Sequence, residues 1–172
     1  MLIAPPRGTR PVSDRAREGL FSSLGGTVIG AVCLDLFAGS GALGIEALSR
    51  GAEVCTFVDK ARPAAAAIAE NLRRTHLDER GTVVTRDVSV YLRERSVDAP
   101  RPDLVFLDPP YQLGGGDLDR VLLLLDAGWL GDGGWSVVMT RGHKAPLPAV
   151  PLHWSARRQL RYGDSLVILY GP

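Results

Sequence analysis

Cysteine is scarce in this 172-residue chain: only Cys33 and Cys55 occur. They sit in separate apolar runs rather than in a paired or metal-ligand spacing. That argues against a disulfide scaffold and reads as two reduced core thiols in a cytoplasmic protein. Long hydrophobic runs are missing as well: no window approaches the roughly 20 apolar residues of a membrane span. The start, MLIAPPRGTRP, is too polar for a signal peptide. Repeats and low-complexity tracts are absent. Lysine is nearly so, and arginine supplies almost all positive charge. What remains is ordinary for a globular protein, 45% hydrophobic and 23% charged, and the length suits a single domain with its own core.

A net charge of +1 gives no sign of a polyanionic partner, but its distribution does. Residues 1–17 hold Arg7, Arg10, Arg15 and Arg17 against Asp14. Residues 141–162 hold Arg141, Lys144, Arg157, Arg158 and Arg161 with no acid. Two basic ends flank an acidic middle, which permits a nucleic-acid surface built from both ends. A scatter of solvated arginines would look the same in composition.

Between the ends, strand-like and helix-like segments alternate. VCLDLF (32–37), EVCTFVD (53–59), GTVVTRD (81–87), DLVFLD (103–108) and GWSVVMT (134–140) read as strands. ALGIEALSR, ARPAAAAIAENLRRTHL, VSVYLRER and DLDRVLLLLDAGWL read as the helices between them. This order predicts a parallel sheet with helices on both faces. The tail, WSARRQLRYG and DSLVILYG, predicts an antiparallel hairpin around a Gly-Asp turn. Ahead of the first strand, SDRAREGLFSSL predicts a helix with Ser13 as its N-cap and Ala16, Leu20, Phe21 and Leu24 on one face. Residues 1–12 then form an arm, 13–25 a leading helix and 31–172 the core of one domain.

In an open parallel sheet, ligands bind beyond the carboxyl ends of the strands, so the strand-ending residues carry the information. The first strand runs into Phe37, Ala38, Gly39, Ser40 and Gly41, a turn whose backbone can approach a ligand closely. Gly39, Gly41 and Gly44 fit G-x-G-x-x-G, which a dinucleotide site would also show. Asp35, inside the strand, discriminates: its carboxylate suits the amino group of S-adenosylmethionine, which a pyrophosphate lacks. Asp59, followed by Lys60, ends the second strand and is placed to accept from ribose hydroxyls. Asp87 and the Val88 N–H, at the third, suit an adenine amino group and ring nitrogen. Helix capping is the alternative role for Asp59 and Asp87.

The fourth strand ends in Asp108, Pro109, Pro110 and Tyr111. Two prolines stop the strand rigidly, since neither donates an N–H and each fixes its φ. An exocyclic amine on a base is a poor nucleophile because its lone pair is delocalised. If Asp108 and the Pro109 carbonyl accept its two hydrogens, that lone pair is localised toward a methyl donor. Tyr111 can stack on a base swung out of its helix. The leaving group of a sulfonium is neutral, so no metal is expected.

DPPY and the glycine loop together resemble class I S-adenosylmethionine-dependent methyltransferases that act on amino nitrogens. More narrowly, RPVSDRAREGLFSSL, LDLFAGSGALGIEALSRGA, VDK, LDPPY and YGDSLVILY resemble the bacterial 16S ribosomal RNA guanine-(N2)-methyltransferase family, from about Gly8 to Tyr170. The resemblance implies a Rossmann-like α/β fold, with a seven-stranded, mostly parallel sheet whose last strand is antiparallel. It implies S-adenosylmethionine at Asp35, Gly39, Gly41, Asp59 and Asp87, and catalysis at Asp108 to Tyr111. The implied target is the 2-amino group of a guanine in 16S ribosomal RNA, position 966, on an assembling small subunit, with the enzyme acting as a monomer. RNA contacts are expected from Arg10, Arg15, Arg157, Arg158 and Arg161. Family members usually carry a further hairpin ahead of the Arg10 segment. Here residues 1–12 are expected to be its remnant, and Val12 stands where threonine is usual.

Other readings differ in their signatures. A DNA amino-methyltransferase would carry a target-recognition insert, and no linker has room for one. A protein glutamine methyltransferase usually has Asn in place of Asp108. A non-enzymatic RNA-binding assembly factor would not need an intact DPPY, and a nicotinamide oxidoreductase would show itself by cofactor fluorescence.

Overall fold

The computed structural model describes residues 2–3, 13–96, 98–110 and 112–172. The expected helix α1 spans Asp14–Leu24, and Ser13 Oγ accepts the Ala16 N–H at 3.2 Å. Its buried residues are Ala16, Leu20, Phe21 and Leu24, the face read from the sequence. Then follow β1 (Val32–Leu36), α2 (Ala42–Ser49), β2 (Val54–Asp59), α3 (Arg62–Arg74), β3 (Gly81–Thr85), α4 (Val88–Arg93) and β4 (Leu104–Leu107). Helix α5 (Gly115–Gly128), β5 (Ser136–Gly142), β6 (Ser155–Tyr162) and β7 (Ser165–Gly171) complete the chain.

The seven strands form one sheet in the order β3-β2-β1-β4-β5-β7-β6. All neighbours are parallel except β7, which runs antiparallel to both β5 and β6. Strand residues alternate between two cores, as period-2 geometry requires. Cys33, Phe57, Phe106, Val138, Val167 and Leu169 pack under α1, α2 and α3. Leu34, Leu36, Val105, Leu107, Val137, Met139 and Ile168 pack under α4 and α5. Strand β4 is buried along its whole length, which explains its unbroken apolar run.

From β1 the chain builds outward to β3, then returns to lay β4 on the other side of β1. The connections therefore diverge between β1 and β4, and a crevice opens at their carboxyl ends. Helix α1 closes the far side against β6, where Gly19 lies so close to the Tyr162 phenol that any Cβ would collide with it.

Among the boundaries that differ from the sequence reading, two lie at the carboxyl edge of the sheet. Strand β5 starts two residues later than expected and continues through Arg141 and Gly142, because β7 supplies partners as far as Ser165. Strand β3 stops at Thr85 rather than Asp87, since Asp87 leaves the ladder to cap α4.

Candidate functional site

The β1–α2 turn is held from three sides. Phe37, Gly39 and Gly41 have φ of 58°, 57° and 76°, left-handed values that cost glycine little and phenylalanine more. Ala38 N–H donates to the Val58 carbonyl at 3.1 Å, and Gly41 N–H to the Ala38 carbonyl at 2.7 Å. Asp59 Oδ2 accepts the Gly39 N–H at 2.9 Å while its Oδ1 accepts the Ala61 N–H at 2.9 Å. The carboxylate thus ties the glycine turn to the end of β2. From behind, Asn71 of α3, fully buried, donates Nδ2 to the Ser40 carbonyl at 3.0 Å. The same amide accepts the Ile3 N–H at 2.7 Å and donates to the Ile3 carbonyl at 3.0 Å.

Asp35 is 1% exposed, and its Oδ2 accepts the Gly44 N–H in the first turn of α2 at 2.9 Å. Burial pushes its carboxyl well above the usual range; the Gly44 N–H opposes this, and the charges of Asp108 and Asp59 add to it. Three carboxylates therefore converge on the crevice, a field that favours a cationic ligand. Cys33, on the same strand, is pushed up to about 12 by burial and the Asp35 charge, so it is an inert thiol.

Asp87 caps α4, its Oδ1 accepting from Ser89 N at 2.9 Å and Val90 N at 3.3 Å. The Val88 N–H, in the same first turn, has no backbone acceptor among the described residues. Lys60 is exposed beside Asp59.

At the end of β4, Asp108 is half-buried and its N–H reaches the Leu36 carbonyl at 3.4 Å. Its Oδ1 accepts the hydroxyl of Thr140 on β5, a partner that no local motif in the sequence announces. Burial raises the Asp108 carboxyl to about 6, against the lowering effect of the Thr140 hydroxyl. Pro109 is buried and Pro110 half-buried; the Pro110 carbonyl accepts from Leu113 N at 2.9 Å, and that of Pro109 accepts no backbone N–H among the described residues. A stiff, free carbonyl thus stands beside a raised carboxylate. Tyr111 lies outside the described residues, as does Arg10.

The remaining arginines are not brought together. Helix α1 runs antiparallel to β6, with Gly19 at Tyr162 and Ser23 Oγ accepting Arg158 Nη1 at 3.1 Å. Arg15, exposed at the start of α1, therefore lies toward the carboxyl edge of the sheet, as does Arg161 near the end of β6. Arg158 sits farther back. Arg157, at a β-bulge near the start of β6, donates to the Pro172 carbonyl at 2.9 Å, at the opposite edge.

With this geometry in place, the comparisons with known proteins converge. Residues 1–171 match the family described as Conserved hypothetical protein 95. The chain is 37% identical over 163 residues to ribosomal RNA small subunit methyltransferase D of Escherichia coli (strain K12), covering 95% of this chain and 79% of that protein. The Haemophilus influenzae protein of the same name is 33% identical over 163 residues, covering 95% and 83%. The solved structure of yhhF from Escherichia coli superposes with a TM-score of 0.84 at 34% identity, covering 99% of this chain and 90% of that one. The chain belongs to this family, a group of class I S-adenosylmethionine-dependent methyltransferases that includes ribosomal RNA small subunit methyltransferase D.

Proposed function

We propose that the protein methylates the exocyclic 2-amino group of a guanine in small-subunit ribosomal RNA, position 966 being the expected target. The observation that carries this reading is Asp108, its carboxylate oriented by Thr140 beside the rigid Pro109 carbonyl and across the crevice from the glycine turn.

The residues present fit S-adenosylmethionine. A Cβ at Gly39 would meet nothing closer than 4.0 Å, so the turn offers bare backbone to a ligand. Asp59 retains lone pairs for ribose hydroxyls, Asp87 and the Val88 N–H present an acceptor and a donor for an adenine edge, and the convergent charge of Asp35, Asp59 and Asp108 suits a cation. Bound there, the cofactor supplies an electrophilic methyl group on a sulfonium.

Asp108 and the Pro109 carbonyl accept the two amino hydrogens of the guanine, which localises the nitrogen lone pair. As the nitrogen gains its bond to carbon it must shed a proton, and the Asp108 carboxylate, with a raised pKa, is the adjacent acceptor. Thr140 holds that carboxylate in one orientation. Tyr111, next after Pro110, is assigned to stack on the flipped base. Arg15 and Arg161, at the same edge, face the RNA. An assembling particle leaves a guanine accessible for such extrusion, and a single copy of the chain suffices for every role.

Small subunits from cells lacking the protein, incubated with it and labelled S-adenosylmethionine, test the reading. Label on N2 of one guanine is the expected result. Label confined to protein, to DNA or to an adenine amino group overturns it.

A further inference from the structure

Strand register places four residues in a row across the carboxyl edge of the sheet. Arg141 of β5 lies opposite Leu166 of β7, and Leu166 opposite Arg161 of β6. Leu107 pairs with Met139, so Pro109 stands at the level of Arg141. All lie on the face covered by α5, because Met139 and Ile168, two residues before Arg141 and two after Leu166, belong to that core. At about 4.8 Å per strand the row runs roughly 14 Å from the catalytic turn to the sheet edge. A cavity of about 420 Å³, lined by His143, Ala145, Leu147, Gln159, Arg161 and Leu166, occupies its outer end.

Arg141 is only 4% exposed. Its Nη2 reaches the Pro146 carbonyl at 3.4 Å, while Nε and Nη1 are enclosed without an acceptor among the described residues. A guanidinium cannot shed its proton, so a buried, unpaired one is costly to the free protein. Such a group next to a catalytic turn is poised for an acceptor that arrives with the substrate.

We propose that Arg141 and Arg161 are a two-step phosphate track for one RNA strand. Arg141 takes the phosphate beside the target guanosine, and Arg161 with His143 takes the next, whose base enters the cavity over Leu166. This rests on the RNA-methylating reading above. The donor forks of the two arginines match phosphate oxygens, and the stretch from Arg141 to Tyr162 contains no acidic residue.

The test measures affinity for purified small-subunit ribosomal RNA against salt concentration, for wild type, Arg141→Met, Arg141→Lys, Arg161→Ala and the Arg141→Met/Arg161→Ala pair. Each lost phosphate contact should flatten the log–log slope by about 0.7 to 0.9, and the pair by about twice that. Arg141→Lys should keep the slope. Arg74→Ala, at the far end of α3, should change nothing. Because Arg141→Met removes a buried unpaired charge, its melting temperature should equal or exceed wild type, which a purely structural arginine would not allow. An unchanged slope with a lowered melting temperature in Arg141→Met overturns the track and makes Arg141 a strut for the 143–151 loop. An unchanged slope in Arg161→Ala takes the cavity off the RNA path. Methyl transfer by wild type to small subunits from cells lacking the protein separates the two readings: transfer with unaltered slopes sinks the track alone, whereas flattened slopes without transfer sink the reaction and leave the track standing.

Discussion

Thr140 donates its hydroxyl to Asp108 across adjacent parallel strands, 32 residues apart in sequence. The bond engages one carboxylate oxygen, Oδ1. It also works against burial, which alone would raise the Asp108 carboxyl further.

Asp108→Ala should cut the single-turnover methylation rate at least about a hundredfold, the scale of a lost transition-state hydrogen-bond partner. Asp108→Asn keeps a carbonyl acceptor and should retain measurable activity. Calorimetry should find that cofactor affinity falls far less than the rate in both. A normal rate for Asp108→Ala on saturating RNA would reduce the carboxylate to a turn cap.

The pH profile follows from the same group. Only the ionised carboxylate can take up the amine proton, so kcat/KM should fall about tenfold per pH unit below about 6. Thr140→Val removes the hydrogen bond that favours the charged form, so this limb should move to higher pH. Stability has the matching sign: the folded state holds the Asp108 proton more tightly than the unfolded chain. The Asp108 contribution to stability therefore declines as pH rises from about 3.8 to about 6 and is level above. In Asp108→Asn that decline should be reduced, as denaturant titrations across the range would show.

Asp59→Ala should weaken S-adenosylmethionine binding by about 1 to 3 kcal/mol. Part of the loss is indirect, because the Gly39 N–H loses its acceptor. Slower hydrogen exchange at Gly39 in wild type than in the variant would report that part separately.

Asp35→Asn distinguishes two roles. An amide still accepts the Gly44 N–H, and the neutral side chain is cheaper to bury, so the melting temperature should hold or rise. Cofactor affinity should nevertheless fall, because a cation loses its counter-charge. Unchanged affinity would confine Asp35 to supporting α2.

Much of this architecture was legible in the chain itself, for reasons that differ by element. Helix α1 announced its cap and its buried face through Ser13 and a 3.6-residue spacing, both local properties. The strand-ending acids were legible because parallel topology brings carboxyl ends to one edge whatever the detailed register. Thr140 was not legible, since a single threonine in an apolar strand becomes a partner of Asp108 only once β4 and β5 are aligned. Asn71 was hidden for a similar reason: within AENLRR it looks like one more polar residue on a helix, and only the fold turns it inward. The placement of the arginines was hidden differently, because nearness in sequence on β6 spreads Arg157, Arg158 and Arg161 along the depth of the sheet instead of gathering them.

Asn71 carries a practical consequence for anyone handling this protein. Its amide is shared between Ile3 at the start of the chain and the Ser40 carbonyl of the glycine turn. Trimming the first three residues would leave a fully buried amide with two bonds unmade, directly behind the glycine turn. Losses in cofactor binding after such trimming would then arise at a buried helix side chain 31 residues in sequence from the carbonyl that it steadies.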